Sequence, residues 1–127
     1  DRIDLHVDVQ RVRYEDISKT AKGESSAQIK ARVMSARNIQ QVRFQGTALI
    51  CNADMERKHV QEWCKMQFDA EILLAEAFKR LNLSARAHDR LLKVARTIAD
   101  LAGENMIGAS HIAEAVQYRS LDRLVRA

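Results

Sequence analysis

Apolar residues recur at two different spacings along this chain, and the change of spacing divides the chain in two. Over residues 3–9, apolar and polar positions alternate, which predicts a single β-strand. Beyond the polar stretch around Gly23, apolar residues recur every three to four positions, as amphipathic helices require. One strand cannot form a stable sheet. The pattern therefore predicts a mainly α-helical bundle preceded by one strand, whose sheet partners we expect to lie upstream.

Capping residues predict where the first helix begins and ends. Ser25 with Gln28 three positions on is a capping-box pattern, so we expect a helix over residues 26–44, with Gly46 past its end. The apolar residues of this helix divide between two faces. This division indicates a helix that is packed on two sides or one that faces a partner subunit. Residues 47–68 are less regular, with one or two helical turns expected in MERKHVQEWC.

The two helices that follow are separated by a very short connection. The first runs from Asp69 to Asn82 and the second from Ser84 to Ala102, before Gly103. Such a short link favours two helices packed as a hairpin. The second helix has one continuous apolar stripe, and its charged residues are expected on the solvent side; these are Asp89, Arg90, Lys93, Arg96 and Asp100. A last helix is predicted over residues 109–119, with Ile112, Ala115 and Val116 inward.

Arg86 is unusual for its position in the first turn of the predicted helix 84–102. A helix N-terminus already carries about half a positive charge, so a cation there costs roughly 0.3–1 kcal/mol. No acidic residue follows Ser84 before Asp89. The residues alone leave three interpretations open for Arg86: a surface arginine that tolerates a weak penalty, an arginine paired with a carboxylate from another element, or a group that meets an anion together with the helix terminus.

Composition narrows the classes of function. The formal net charge of +4 permits an anionic partner, and the aromatic content of 5% argues against stacking platforms for single-stranded nucleic acid. Two cysteines form no disulfide framework, so we expect reduced thiols and a cytoplasmic location. No apolar run is long enough to cross a membrane, and no membrane partner is expected.

Local motifs for catalysis or metal binding are absent from the sequence. It contains neither GxxxxGK[ST] nor GxGxxG, and its spacing yields no nucleophilic triad. Cys51, His59 and Cys64 are soft ligands by type, but their spacing fits no zinc pattern, and no metal site is predicted.

Five segments in order carry a family resemblance: DRIDLHVDV, GESSAQIKARVMSAR, CNADM, LSARAHDRLLKVARTIADL and AVQYRSLDR. Together they resemble the C-terminal part of the magnesium-chelatase-like AAA+ ATPases, in the competence-associated subfamily called ComM or YifB. The resemblance implies that residues 1–24 are the last strand of the AAA+ core and a linker. It further implies that residues 25–127 are a helical linker and the C-terminal lid domain.

The resemblance also implies roles for two arginines. Arg2, in DRIDL, falls at the position of an arginine finger that acts across a subunit interface. Arg86, in SARAHDR, falls at the sensor-2 arginine that touches the terminal phosphate of ATP, in its own subunit or across the interface. ATP and Mg²⁺ are then the cofactors of the full-length protein, with none expected on this fragment. The implied partners are the upstream AAA+ core, a homo-hexameric ring and DNA.

The resemblance implies the lid fragment of a ring-forming ATPase that couples ATP hydrolysis to DNA processing or branch migration. The first alternative is the motor subunit that drives magnesium insertion into a porphyrin. The second is a non-catalytic helical interaction module, for which Arg2 and Arg86 are dispensable. In each case the fragment alone is expected to show no ATPase activity, because it has no P-loop lysine and no magnesium ligands.

Overall fold

The computed structural model describes residues 5–7 and 23–126, with side chains as far as Arg119. The described part contains five α-helices: α1 (Ser26–Arg43), α2 (Arg57–Trp63), α3 (Phe68–Arg80), α4 (Ala85–Leu101) and α5 (Ala109–Arg126). A 3₁₀ turn, Asn52–Asp54, lies between α1 and α2. The predicted helical bundle is confirmed, and α5 continues beyond the predicted end at Arg119.

Side chains and backbone geometry fix the helix ends at the predicted positions. In the capping box of α1, the Ser25 hydroxyl accepts from the Gln28 amide at 3.2 Å, and the Gln28 side chain accepts from the Ser25 amide at 3.0 Å. At the C-terminus of α4, Gly103 has φ +72°, which suits glycine. The Glu104 amide donates back to the Ala99 carbonyl at 2.9 Å, closing a Schellman motif.

The helices pack in the order α1, α4, α5, α3. Helix α4 lies between α1 and α5, and α3 packs on the other side of α5. The core is formed by buried apolar side chains from α3, α4 and α5 and from the segments that connect the helices, including Phe44, Met55, Leu74, Leu91, Ile107 and Ile112. An isolated parallel bridge between Met66 and Ile107 ties the start of α3 to the start of α5.

The predicted hairpin of α3 and α4 is wrong. These two helices do not run side by side, because each packs along α5 instead. Near their connection, the rings of Phe78 and His88 meet edge to face, with centroids 5.6 Å apart. A short link fixes how close two helix ends are, but the buried faces decide what each helix lies against.

The predicted strand over residues 3–9 is described only at residues 5–7, which have no regular secondary structure. The His6 amide donates to the Tyr118 carbonyl of α5 at 2.9 Å, so this short segment lies against the last helix. The other residues of that prediction are outside the described ranges. The proposed division between residues 24 and 25 therefore stays a prediction.

Most of the large apolar side chains of helix α1 are exposed. Ala36 is buried, but Ile29, Val33, Met34 and Val42 are all at least 40% exposed. Among the described elements, α4 is the one that makes an extensive contact with this helix. Both alternatives for α1, packing on two sides and facing a partner subunit, therefore stay predictions.

Within the described ranges, no helix combines the length and the apolar composition required to cross a membrane.

Candidate functional site

Arg86 lies in the first turn of α4 with its side chain exposed. Ser84 is the N-cap, and its hydroxyl accepts from the Ala87 amide at 3.1 Å. The first turn contains no acidic residue. Among the described residues, none forms an ion pair or hydrogen bond with the Arg86 guanidinium. The positive helix terminus and an exposed cation therefore coincide, and both can face an anion.

At the other end of α4, Asp100 is the centre of a buried ion-pair network. The Arg43 guanidinium of α1 donates two hydrogen bonds to its carboxylate, at 2.6 and 2.9 Å. Arg96, one turn earlier on α4, donates through Nε to the same carboxylate at 3.2 Å. A bidentate arginine pair of this kind fixes both distance and orientation. The network thus holds α1 against the C-terminal half of α4.

The prediction that Arg96 and Asp100 face solvent is wrong, because each is only 2% exposed. Arg96 is accommodated because its remaining donors also find acceptors: the carbonyls of Asn105 at 2.9 Å and Glu104 at 2.6 Å. Burial lowers the pKa of the Arg96 guanidinium, and the nearby Asp100 carboxylate opposes that shift. Each of the three guanidinium nitrogens donates a hydrogen bond, so the charge is tolerated in the interior.

The sequence interpretation missed one buried apolar residue of α4. Leu92 lies outside the predicted stripe, yet it is buried. It belongs with Arg96 to a second covered face. Helix α2 also packs on α4, and Leu92 lies near Val60 and Cys64 on that side. At the end of the predicted stripe, by contrast, Leu101 and Ala102 are exposed. The covered arc of α4 is therefore wider and rotated relative to the prediction.

The segment CNADM, for which the sequence offered no explanation, supplies Asn52 to the same network. The Asn52 side chain donates to Asp100 at 2.9 Å and to the Thr97 hydroxyl at 3.0 Å, and it accepts from Arg43 at 2.9 Å. Its backbone amide donates to the Gln40 side chain at 2.9 Å. One buried amide thus joins α1, the 3₁₀ turn and α4.

Asp54 holds the turn that presents Asn52. Its carboxylate accepts from the backbone amides of Ile50 at 3.1 Å and Cys51 at 3.2 Å. These hydrogen bonds, first from Ile50 and then from Cys51, lower the pKa of the Asp54 carboxyl below its usual value. The acidic residue of CNADM therefore has a local structural role.

The three soft side chains singled out in the sequence have local contacts, and Cys51 Sγ donates to the Asp54 carboxylate at 3.8 Å. His59 Nδ1 accepts from the Glu56 amide at 2.9 Å, and its ring stacks on Trp63 with centroids 5.8 Å apart. Cys64 is buried, and burial raises the pKa of its thiol to about 12. Across the described part of the chain, no three His, Cys, Asp or Glu side chains are grouped so that they could hold a metal ion.

Arg2, the other predicted site residue, lies outside the described residues. Of the two predicted site residues, the structure describes Arg86 and not Arg2. The distance between them stays untested. The sequence did not identify the buried support of α4, formed by Arg43, Asn52 and Asp100.

Comparison with known proteins assigns the family. Residues 23–119 match the family described as "Magnesium chelatase, subunit ChlI C-terminal". The fold and the matched region therefore define the class of protein as an all-helical C-terminal domain. The chain belongs to this family. The match includes all five helices to residue 119, and with them Arg86 and the Asp100 network.

Relatives from several bacteria are similar over nearly the whole chain. The chain is 39% identical over 127 residues to competence protein ComM of Haemophilus influenzae, covering 99% of the chain and 24% of that protein. It is 40% identical over 126 residues to the uncharacterised protein YifB of Escherichia coli, covering 98% of the chain and 24% of that protein. An uncharacterised protein of Mycobacterium bovis is 34% identical over 119 residues, which cover 94% of the chain and 24% of that protein. The chain therefore spans about a quarter of the length of the curated relatives it matches, and the ComM and YifB likeness agrees with the subfamily inferred from the sequence.

Proposed function

We propose that this chain is the nucleotide-sensing lid of a ring-forming AAA+ ATPase that processes DNA, and that Arg86 contacts the terminal phosphate of bound ATP. The observation that carries this proposal is the exposed Arg86 in the first turn of α4, a turn that contains no acidic residue. The family assignment and the similarity to ComM and YifB support the class.

Electrostatics explains why such an arginine suits a phosphate. Without a ligand, the helix terminus and the guanidinium repel each other by roughly 0.3–1 kcal/mol. A phosphate attracts both, and a guanidinium can bind two of its oxygens at once. The arrangement is mildly unfavourable when empty and favourable when occupied, which is the property that a nucleotide sensor needs.

Helix α4 can carry the effect of the phosphate across the domain. About 14 residues separate Arg86 from Asp100, which is roughly 21 Å along a helix. The Asp100 network fastens α1 to the far end of α4 through Arg43 and Asn52. A displacement of Arg86 by the phosphate would therefore move α1 together with α4.

Arg2 completes the proposal as an arginine finger that acts on the ATP of a neighbouring subunit. In phosphoryl transfer, charge gathers on the equatorial oxygens of the γ-phosphoryl group, and an arginine supplied in trans is worth about 10³–10⁵ in rate. ATP and Mg²⁺ would be bound by the part of the protein that carries the P-loop. This role of Arg2 rests on the sequence resemblance alone.

The test replaces Arg86 in a full-length protein that carries this chain. We expect Arg86→Ala to lower ATP turnover by at least about tenfold, with Arg86→Lys intermediate, since a lysine keeps the charge but loses the bidentate geometry. Lys58→Ala, which removes an exposed cation from α2, is the matched control and should leave turnover unchanged. Unchanged turnover in Arg86→Ala would favour the non-catalytic interaction module.

A second measurement separates DNA processing from metal insertion into a porphyrin. The name of one relative, competence protein ComM, favours DNA processing. The description of the matched family, magnesium chelatase, favours metal insertion. We expect branched DNA to stimulate the ATPase of the full-length protein. Stimulation by chelatase partner subunits, with no response to DNA, would instead establish the porphyrin motor.

A further inference from the structure

Asp89 is the acidic residue of α4 that lies closest to Arg86 in the sequence. It follows Arg86 by three positions, a spacing at which opposite charges on one helix can form an ion pair. Such a pair would neutralise the guanidinium that is proposed to bind phosphate. The two side chains are both described, and no ion pair joins them. The carboxylate of Asp89 is therefore held elsewhere.

The group that holds this carboxylate is the imidazole of His88. Oδ1 of Asp89 lies 3.2 Å from Nδ1 of His88. A carboxylate only accepts hydrogen bonds, so Nδ1 carries the hydrogen and donates it. The side chains of His88 and Asp89 are 32% and 20% exposed, so both are partly shielded from water. Arg86, by contrast, is exposed.

Helix α3 fixes the position of the imidazole. The ring of Phe78 meets the ring of His88 edge to face, with centroids 5.6 Å apart. His88 lines two surface cavities, one of about 440 Å³ beside α3 and one of about 450 Å³ beside α2. Asp89 lines the second cavity, whereas Arg86 lines neither. The imidazole thus holds the carboxylate on the side of α4 that faces α2, away from Arg86.

Three cations near Asp89 do not hold its carboxylate. Lys93 follows Asp89 by four positions, but its ammonium donates to a backbone carbonyl of the 3₁₀ turn at 3.3 Å. Arg57 and Lys65 line the same cavity as Asp89, but no ion pair joins either of them to it. Among the described residues, His88 is therefore the partner of this carboxylate.

We propose that His88 is a positioning residue for the nucleotide sensor, because its hydrogen bond keeps Asp89 from pairing with Arg86. This inference rests on the proposed role of Arg86. Without that hydrogen bond, the carboxylate is free to turn towards the guanidinium. An arginine that is paired for part of the time is available to a phosphate only for the rest, and the apparent affinity for ATP falls by that fraction.

The test introduces His88→Phe into a full-length protein that carries this chain. The substitution keeps an aromatic ring against Phe78 and removes the hydrogen-bond donor. We expect KM for ATP to rise by about two- to fivefold, because exposed helix pairs are weak and the released carboxylate also repels phosphate. Saturating ATP displaces the carboxylate, so kcat should stay within about twofold. The rise in KM should shrink at high salt, which screens exposed charges.

Two further variants separate the hydrogen bond from the ring. His88→Asn places an amide donor close to the position of Nδ1, so KM should stay within about twofold of that of the unsubstituted protein. The double variant His88→Phe with Asp89→Asn lacks the competing carboxylate, so KM should return to its original value. A purely structural role of His88 predicts instead that the double variant keeps the raised KM. Circular dichroism verifies the fold of each variant.

The outcomes separate this inference from the proposed function. The positioning role of His88 is overturned if His88→Phe leaves KM unchanged, or if the double variant keeps the raised KM. In both cases the proposed function stands as long as Arg86→Ala lowers ATP turnover. Unchanged turnover in Arg86→Ala would overturn the proposed function, and the role of His88 with it.

Discussion

Helix α4 carries one arginine at each end of its length, and the two have opposite environments. Arg86 is exposed in the first turn, where the helix terminus repels it. Arg96 is buried near the last turn, where the Asp100 carboxylate and two backbone carbonyls accept its hydrogen bonds. The comparison shows that the packing around a helix position decides whether an arginine there stabilises the fold or stays available for a ligand.

The largest effect is expected from Asp100→Ala. This change leaves the guanidinium groups of Arg43 and Arg96 in the interior without their shared carboxylate. Breaking a buried pair in this way costs about 3–5 kcal/mol. Urea denaturation followed by circular dichroism measures the loss. Glu104→Ala, at an exposed side chain, should change the free energy of unfolding by less than about 0.5 kcal/mol, and an equal loss in both variants would contradict the network.

A smaller loss is expected from Asn52→Ala, since the ion pair itself remains. The substitution removes a hydrogen-bond acceptor from Arg43 and a donor from Asp100 in a buried place. Leaving such groups without partners costs about 1–3 kcal/mol. The midpoint of denaturation should fall accordingly, whereas Asn38→Ala on the exposed side of α1 should leave it within about 0.5 kcal/mol.

Arg86→Ala should act in the opposite direction and sharpen the contrast between the two arginines. Removing a cation from the N-terminal turn should stabilise the isolated chain by about 0.3–1 kcal/mol. Lys79 lies in the last turn of α3, where a cation is favourable, so Lys79→Ala should destabilise by a similar amount. Thermal denaturation at low salt measures whether each of the two substitutions raises or lowers the stability. A loss of stability in Arg86→Ala would show that this arginine supports the fold.

The smallest expected effect on the free energy of unfolding at neutral pH comes from the thiol of Cys64, close to the buried end of α4. Burial raises the pKa of its thiol from 9.0 to about 12, so the folded state favours the protonated form. That contribution to stability is complete below pH 9 and is lost as the pH rises from 9 towards 12. We expect the free energy of unfolding to fall more steeply between pH 9 and 11 in the unsubstituted chain than in Cys64→Ala. Equal slopes would contradict this prediction.

The helix boundaries could be predicted because they depend on nearest neighbours in the sequence. Ser25 with Gln28, Ser84 with Ala87, and Gly103 each act within a few residues, and each was found as expected. The same locality made Arg86 recognisable, since its conflict with the helix terminus is visible in one turn.

The buried support could not be predicted because its partners are distant in the chain. Arg43 and Asp100 are 57 positions apart, and Asn52 is 48 positions from Asp100. Periodicity assigned Arg96 and Asp100 to the polar side of a helix assumed to bury one face. Only knowledge that α1 and α2 both pack on α4 reveals that a second face is covered.

The short bridge between Met66 and Ile107 has a consequence for the dynamics of the domain. The Ile107 amide donates to the Lys65 carbonyl at 3.0 Å, and the Gln67 amide donates to the Ile107 carbonyl at 2.9 Å. These bonds join two connecting segments beside the fully buried Ile107 side chain. The amide protons of Gln67 and Ile107 should therefore exchange with deuterated water as slowly as those in the middle of α4, although both lie outside any helix.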